Sequence, residues 1–172
     1  MTSSPLISLL SRFVRHLFYP RWLINRSFPR RTMDRITAAV AGSERGHGGE
    51  IRFVVEGALD FLPLLKGKTA RERAIEVFSR MRIWDTEANN GVLIYLLLAD
   101  RDVEILADRG FTGKVSAQEW EAICREMEAH FARGEFERGA LAGLARADEL
   151  LSRLFPASAA NPNELSDAPA VI

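Results

Sequence analysis

The sequence is poor in residues that form disulfides or bind transition metals: it contains one cysteine, Cys124, and three histidines. A lone cysteine excludes an internal disulfide and indicates a reducing compartment. A zinc site uses closely spaced Cys and His ligands, and these four residues are too few and too scattered to form a zinc site. The helical spacing of Trp120, Ile123 and Met127 places Cys124 on a buried helix face, unlike the basic, partly exposed setting of a catalytic cysteine.

The sequence also lacks an apolar run long enough to cross a membrane. The main run, residues 92–98, is far shorter than the roughly 20 residues that a membrane-spanning helix requires. The first 20 residues do not form a secretory signal, because Arg12 and Arg15 interrupt their apolar stretch. We therefore expect a cytoplasmic protein, with peripheral attachment to a membrane as an open alternative.

The net charge of the chain is zero, but the charged residues are unevenly distributed along it. Residues 1–35 contain seven arginines and one acid, Asp34, a net charge of +6, so the remainder carries −6. The arginines lie beside an apolar helix face and not on an aromatic-bearing sheet, so nucleic-acid binding is disfavoured. A basic arm, residues 1–32, precedes an acidic domain.

The arm is predicted to begin with an amphipathic helix that ends at Pro20. Its apolar residues recur at helical spacing: Leu6, Leu9, Leu10, Phe13 and Leu17. One interpretation is that this face lies on an anionic membrane surface. The other is that it packs on the domain or on an unknown protein partner. In either case the predicted membrane- or partner-binding residues are Arg12, Phe13, Arg15 and Trp22.

The centre of the chain is predicted to form a β-hairpin. Residues 92–98 have the apolar content of a strand buried on both faces, residues 99–102 supply turn chemistry, and residues 103–107 alternate as a second strand. An earlier strand, residues 51–56, connects to the first hairpin strand through a helix capped by Thr69, which predicts a parallel pair. The pattern indicates an α/β fold, an α-β-α sandwich around a small mixed sheet.

Two further helices are predicted after the hairpin, one capped by Ser116 and one over residues 136–154. We assign residues 33–155 to one domain. The remaining residues, 156–172, are rich in Ala, Pro, Asn and Ser, which predicts a disordered tail.

The hairpin and its flanking segments contain an ordered set of motifs: Asn90-Gly91-Val92-Leu93-Ile94, Ala99-Asp100-Arg101, Val103-Glu104-Ile105, Arg109-Gly110, Gly49-Glu50-Ile51 before the first strand, and residues 131–136. This set resembles the core of the TPM domain family. The resemblance covers roughly residues 33–155. The resemblance implies a helix–sheet–helix arrangement, and the family is associated with calcium binding and with acid-phosphatase-like activity.

The predicted topology gathers acids and amides at one end of the sheet, where the two parallel strands start and the antiparallel strand ends. Carboxylate and amide oxygens suit Ca²⁺ or Mg²⁺. The candidate metal ligands are Glu50, Asp85, Glu87, Asn89, Asn90 and Asp108, with Arg109 as a candidate phosphate-binding residue. Asp85, Glu87 and Asp108 could instead be solvated loop acids, and Asn90-Gly91 could be only a tight turn that leads into the strand. Sites in α/β sheets usually lie at the opposite end.

These observations favour an accessory or assembly module that binds a divalent cation and a protein partner, at a membrane surface or away from one. The alternative is a weak, metal-assisted phosphomonoester hydrolase. No nucleophile lies beside a base in the sequence pattern, so catalytic residues are not assigned and enzymatic activity stays an open question.

Overall fold

The structure is a computed structural model that describes residues 5–157 and 163–172 of the 172-residue chain. Three helices come first: α1 (Pro5–Leu17), α2 (Arg21–Ser27) and α3 (Arg30–Ser43). They are followed by β1 (Glu50–Glu56), α4 (Phe61–Leu65), α5 (Ala70–Arg80), β2 (Gly91–Leu97) and β3 (Asp102–Ala107). A short 3₁₀ turn (Arg109–Phe111) then leads to α6 (Ala117–Ala132), α7 (Phe136–Leu154) and β4 (Ala170–Val171).

The strands form one mixed sheet in the order β3-β2-β1-β4. Strand β1 runs parallel to β2, and β3 runs antiparallel to β2, as the sequence predicts. The predicted capping boxes at Thr69 and Ser116 are both present and begin α5 and α6. The fold is therefore a mixed α/β fold with β2 in the interior of the sheet.

Apolar side chains cover both faces of the sheet. Alternate residues of the strands point to opposite faces, so Phe53 and Ile94 join α3, α6 and α7 in one cluster. Val54 and Tyr95 join α4 and α5 in a second cluster on the other face. This two-sided burial confirms the predicted α-β-α sandwich and explains why all seven residues of β2 are buried.

The predicted domain boundary at residue 33 lies too far along the chain. Ile24 and Phe28, both placed in the arm by the sequence analysis, are buried in the first cluster. The Phe28 ring lies 5.7 Å from the Phe136 ring and 6.3 Å from the Phe53 ring, centroid to centroid. Helix α2 is therefore part of the core. The arginines around Phe28 conceal this, because they give the segment a uniformly basic appearance.

The prediction of a disordered tail is wrong for residues 163–172, while residues 158–162 lie outside the described residues. Strand β4 pairs in parallel with β1 at the open edge of the sheet, and the Ile172 N–H donates to the Val55 carbonyl at 3.1 Å. Leu165 packs against the second cluster. The composition of the tail gives no sign of this order, because the stabilising partner is the free edge of β1, far away in sequence.

Candidate functional site

The amino ends of β1 and β2 and the carboxyl end of β3 meet at one end of the sheet. Glu50 is opposite Gly91 in the parallel register, and its N–H donates to the Asn90 carbonyl at 3.3 Å. On the other side of β2, the Asp108 N–H donates to the Gly91 carbonyl at 2.9 Å. The three sequence segments with predicted metal ligands are therefore neighbours.

The backbone at Ile83 separates the two main acids of this set. By strand alternation, Glu50, Gly91 and Asp108 face the same side of the sheet. A Cβ atom on Gly91 would lie only 2.0 Å from the Ile83 carbonyl oxygen, so this carbonyl occupies the space above Gly91. Glycine is required here because any side chain would displace the Ile83 backbone. Glu50 and Asp108 consequently lie in different surroundings.

Glu50 belongs to a group of acids at the edge of β1. It is 1% exposed, and its Oε2 accepts a hydrogen bond from the Leu165 N–H at 2.9 Å. Burial raises the pKa of Glu50, against the lowering effect of the Leu165 and Glu164 N–H groups. Glu44, at the end of α3, is 8% exposed, and burial together with the Glu50 charge raises its pKa to about 8. Asp167 hydrogen-bonds the Glu44 carboxyl.

Asn90 lies towards the opposite face from Glu50. Its Nδ2 donates to the Gly48 carbonyl, and its backbone N–H donates to Thr86 Oγ1 at 3.1 Å. Nearby, His47 accepts a hydrogen bond from the Gly49 N–H at Nδ1 and contacts Asp148 through Nε2 at 3.1 Å. Burial lowers the pKa of His47. Both ring nitrogens of His47 thus hold the loop before β1.

The remaining predicted ligands lie in the surface loops. Arg109 donates from Nε to Asn89 Oδ1 at 2.6 Å, so the predicted phosphate-binding guanidinium is hydrogen-bonded to a neighbouring amide. Asp108 caps the 3₁₀ turn through a 2.7 Å hydrogen bond from the Arg109 N–H. Asp85 and Glu87 are both exposed.

The six predicted metal ligands thus share one end of the sheet without converging on one point. Within residues 5–157 and 163–172, no three His, Cys, Asp or Glu side chains lie close enough together to hold a metal ion. Burial raises the pKa of Cys124 to about 12, so this thiol is not an activated nucleophile. The chemistry concentrated here is that of two buried carboxyl groups, Glu44 and Glu50, whose pKa values are both raised.

Comparison with known proteins agrees with this architecture. The model of the TPM domain family matches residues 27–150, which is most of the chain. This chain belongs to the TPM domain family. The NMR structure of the BA42 protein from the psychrophilic bacterium Bizionia argentinensis is similar, with 26% sequence identity and a TM-score of 0.72. That similarity covers 83% of this chain and 93% of the BA42 chain. A search of curated proteins finds no match.

At the other end of the sheet, α1 contacts Asp100 in the turn between β2 and β3. Arg12 Nη2 lies 2.9 Å from Asp100 Oδ2 and also donates to the Lys68 carbonyl at 2.7 Å. His16 is buried, with Nε2 2.9 Å from Asp100 Oδ1 and Nδ1 accepting from the Leu59 N–H at 3.0 Å. Burial alone would raise the pKa of Asp100, but hydrogen bonds from His16 and Arg12 outweigh it and lower the pKa to about 2.

Helix α1 presents a second apolar face away from the TPM domain. Leu10, Val14, Leu17 and Phe18 are 50–72% exposed and recur at helical spacing. Helix α4 contacts α1 and adds exposed apolar side chains. We define the α1–α4 patch as Leu10, Val14, Leu17, Phe18, Phe61, Leu62 and Leu65.

The four predicted membrane- or partner-binding residues divide between these two sides of α1. Arg12 is bound to Asp100, and Phe13 packs against the second cluster. Arg15 and Trp22 are exposed, with Arg15 Nη2 at 3.7 Å from Asp100 Oδ1. Within the described residues, every helix is too short or too polar to span a lipid bilayer.

Sequence analysis did not predict the contacts of three acids: Glu44, Asp100 and Asp167. Glu44 was hidden at the end of a helix, and Asp167 within the supposedly disordered tail. Asp100 was assigned to turn chemistry. Its position directly after a buried strand was the available signal, because a carboxylate there requires a partner when another segment covers it.

Proposed function

We propose that this TPM domain is a peripheral module that binds an anionic membrane surface through the α1–α4 patch. The observation that carries the proposal is the exposure of Leu10, Leu17 and Phe18, at 68%, 60% and 72%. Monomeric proteins seldom expose a contiguous group of large apolar side chains without an interaction role. An interfacial helix inserts such side chains between lipid headgroups.

Charge around the patch supports an anionic lipid surface over a neutral one. Arg15, Arg21 and Lys66 are exposed on the elements that carry or follow the patch. Each basic residue close to an anionic bilayer contributes about 1 kcal/mol of attraction. Trp22 is 58% exposed directly after the patch, and indole side chains favour the headgroup region. Asp60 is an exposed acid at the start of α4, so the local charge is predominantly, not exclusively, positive.

The contacts on the inner side of α1 fix its orientation. Arg12 and His16 bind Asp100, so the outward face is held in place before any lipid is met. A preformed helix avoids the ordering cost that a disordered arm would bear on binding. In this proposal the arm combines the two interpretations that the sequence left open: one side of α1 packs on the domain, and the other side contacts a membrane surface.

Vesicle co-sedimentation tests the proposal. Wild-type protein should sediment with vesicles of phosphatidylcholine and phosphatidylserine at a 7:3 ratio and much less with pure phosphatidylcholine, and added salt should weaken the binding. The double variant Leu10→Gln and Phe18→Gln should reduce binding at least about tenfold, because two exposed apolar side chains are lost.

The matched control is Ile75→Gln, which removes an exposed apolar side chain from α5, outside the patch. Its vesicle binding should equal that of the wild type. Equal sedimentation with both vesicle compositions, or equal loss in the control, would overturn the proposal. Absence of binding to either vesicle type would also overturn it and leave a protein partner as the occupant of the patch.

A divalent cation held at the amino end of β1 is a second proposed function. It is supported by three neighbouring acids, Glu44, Glu50 and Asp167. Burial raises the pKa of Glu44, and the charges of Glu50 and Asp167 raise it further. Carboxylate oxygens suit Ca²⁺ or Mg²⁺, but these three do not converge on one point, so the proposal requires their side chains to move towards the ion. This set shares only Glu50 with the set predicted from the sequence.

Calorimetry with calcium chloride provides the test. Binding should release protons at pH 7, because a cation would replace the proton on Glu44. Glu44→Gln should weaken binding and abolish the proton release, while Asp85→Asn, at an exposed loop acid, should change neither. Flat calorimetry at millimolar calcium would exclude this cation site.

Phosphomonoester hydrolysis is the enzymatic alternative for the same end of the sheet. It would use a bound cation and Arg109 to hold the phosphate, with Arg109 first leaving Asn89. Hydrolysis of p-nitrophenyl phosphate that is lost on chelation and in Arg109→Ala would support it. Turnover unaffected by either change would contradict this mechanism.

A further inference from the structure

Strand β3 forms an open edge of the sheet. Its neighbour β2 occupies one side, and β3 is the last strand in the sheet order. The outward side is identified by two contacts: the Val103 N–H donates to Glu128 Oε1 at 3.1 Å, and the Ile105 carbonyl accepts from Arg71 Nη1 at 2.8 Å. The Ile105 N–H faces the Cys124 thiol. Side chains, not another strand, satisfy these backbone groups.

A groove follows this edge between α5 and α6. Its volume is about 630 Å³. One part of its wall is apolar, where Phe111 and Trp120 meet edge-to-face with ring centroids 5.6 Å apart. Asp102 and Glu104 line the groove from β3 itself. The groove thus combines a row of backbone groups, an apolar wall and acidic side chains.

The charges in the groove are unbalanced towards the acids. Arg71 pairs with Glu104 at 3.1 Å, and Arg125 pairs with Glu121 at 3.4 Å. Asp102 and Glu128 add two further carboxyl groups. Burial raises the pKa of Asp102, and the Glu104 charge raises it further. A cationic ligand would relieve this repulsion between neighbouring acids.

We propose that the β3 edge binds an extended, lysine- or arginine-bearing segment of a partner protein, which joins the sheet as an additional strand. Main-chain hydrogen bonds to Val103 and Ile105 would replace those now made by Glu128 and Arg71. Alternate side chains of an extended segment point in opposite directions. Apolar ones would contact Phe111 and Trp120, and cationic ones would contact Asp102 and Glu104.

The row of backbone groups favours an extended peptide over a small cation. A polyamine would satisfy the acids but would leave the Val103 and Ile105 groups with their present side-chain partners. The negative charge of the groove disfavours an anionic peptide by the same reasoning. The α1–α4 patch belongs to other elements of the fold, so this proposal does not depend on membrane binding.

The test uses an acetylated and amidated heptapeptide of alternating lysine and valine, titrated into the full chain labelled with ¹⁵N. The amide resonances of Val103, Ile105 and Ala107 should shift in a saturable manner. Two control peptides isolate the interactions: one with alternate backbone amides N-methylated on the edge-facing side, and one with glutamate in place of lysine. Neither should produce these shifts.

The double variant Asp102→Asn and Glu104→Gln should weaken peptide binding at least about tenfold, because two charge-assisted contacts are lost. Glu126→Gln, on an exposed position of α6 outside the groove, is the matched control and should bind as the wild type does. If the double variant does not fold, the salt dependence of wild-type binding replaces it, and affinity should fall as salt increases. Shifts confined to other regions, equal binding of the glutamate peptide, or no shifts at millimolar peptide would overturn the proposal.

Discussion

The two ends of the central sheet treat buried acids in opposite ways. At the carboxyl end of β1, Glu56 is hydrogen-bonded by Arg73 through two guanidinium nitrogens and by the Tyr95 hydroxyl at 2.7 Å. At the amino end of the same strand, Glu50 lies beside Glu44 and the tail acids. The first acid therefore has cationic and hydroxyl partners, whereas the second is hydrogen-bonded by backbone N–H groups and lies beside other carboxyl groups.

This contrast bears on the general rule for ligand sites in α/β sheets. Ligands usually bind at the carboxyl ends of parallel strands. In this chain α1 covers that end, and Arg12 and His16 bind Asp100 beside it. The acids at the amino end have raised pKa values because they are buried and lie beside one another. The amino end is consequently the end at which an added proton or cation has the larger effect.

The largest loss of stability is expected when the ion pair between Arg73 and Glu56, at the carboxyl end of β1, is removed. Arg73→Ala leaves the Glu56 carboxylate, whose side chain is 7% exposed, without its guanidinium partner. Removing one member of a buried ion pair costs about 3 kcal/mol of unfolding free energy or more. Urea-induced unfolding measures the loss.

The control for Arg73→Ala is Arg71→Ala, two positions away on α5. The Arg71 side chain is 52% exposed in its pair with Glu104, so its removal should cost less than about 1 kcal/mol. Equal losses of unfolding free energy in the two variants would contradict the claim that Arg73 and Glu56 form a buried, stabilising ion pair.

Asp100→Asn should lower the unfolding free energy by a smaller amount, about 2 kcal/mol, because charge-assisted hydrogen bonds to Arg12 and His16 are weakened. The pKa of Asp100 is lowered to about 2. Its ionised form therefore contributes full stability above about pH 4, and this contribution is lost as pH falls through 2. The difference between wild type and variant should shrink over that range. A difference that stays constant from pH 6 to pH 2 would show that the Asp100 charge does not anchor α1.

The sequence was a good guide where local pattern and burial agree. The continuous apolar run of β2 and the capping boxes at Thr69 and Ser116 predicted central elements that the structure contains. The predicted meeting of three segments at one end of the sheet also follows from strand direction alone.

Features that depend on distant partners could not be predicted in the same way. Residues 163–172 are ordered because β4 pairs with the free edge of β1, and this edge is known only once the strand order is known. The carbonyl of Ile83 separates Glu50 from Asp108 because the chain crosses over Gly91. The glycine was visible in the sequence, but the identity of the crossing segment was not.

The smallest expected effect is a gain, from Glu44→Gln at the amino end. The pKa of Glu44 is raised from 4.5 to about 8, so the folded protein holds the proton more tightly than the unfolded chain does. Ionisation of Glu44 therefore reduces stability as pH rises from 4.5 to 8. Glutamine keeps the oxygen that accepts from the Ile51 N–H and can still donate to Asp167.

The variant should match the wild type near pH 4 and exceed its unfolding free energy by about 1 kcal/mol at pH 8, a value reduced for solvent screening at this strand edge. Chemical unfolding at the two pH values measures the gain. The exposed variant Glu87→Gln should show no gain at either pH. A loss of stability in Glu44→Gln at pH 8 would mean that the Glu44 charge is favourably bound there, and the contrast between the two ends of the sheet would then be wrong.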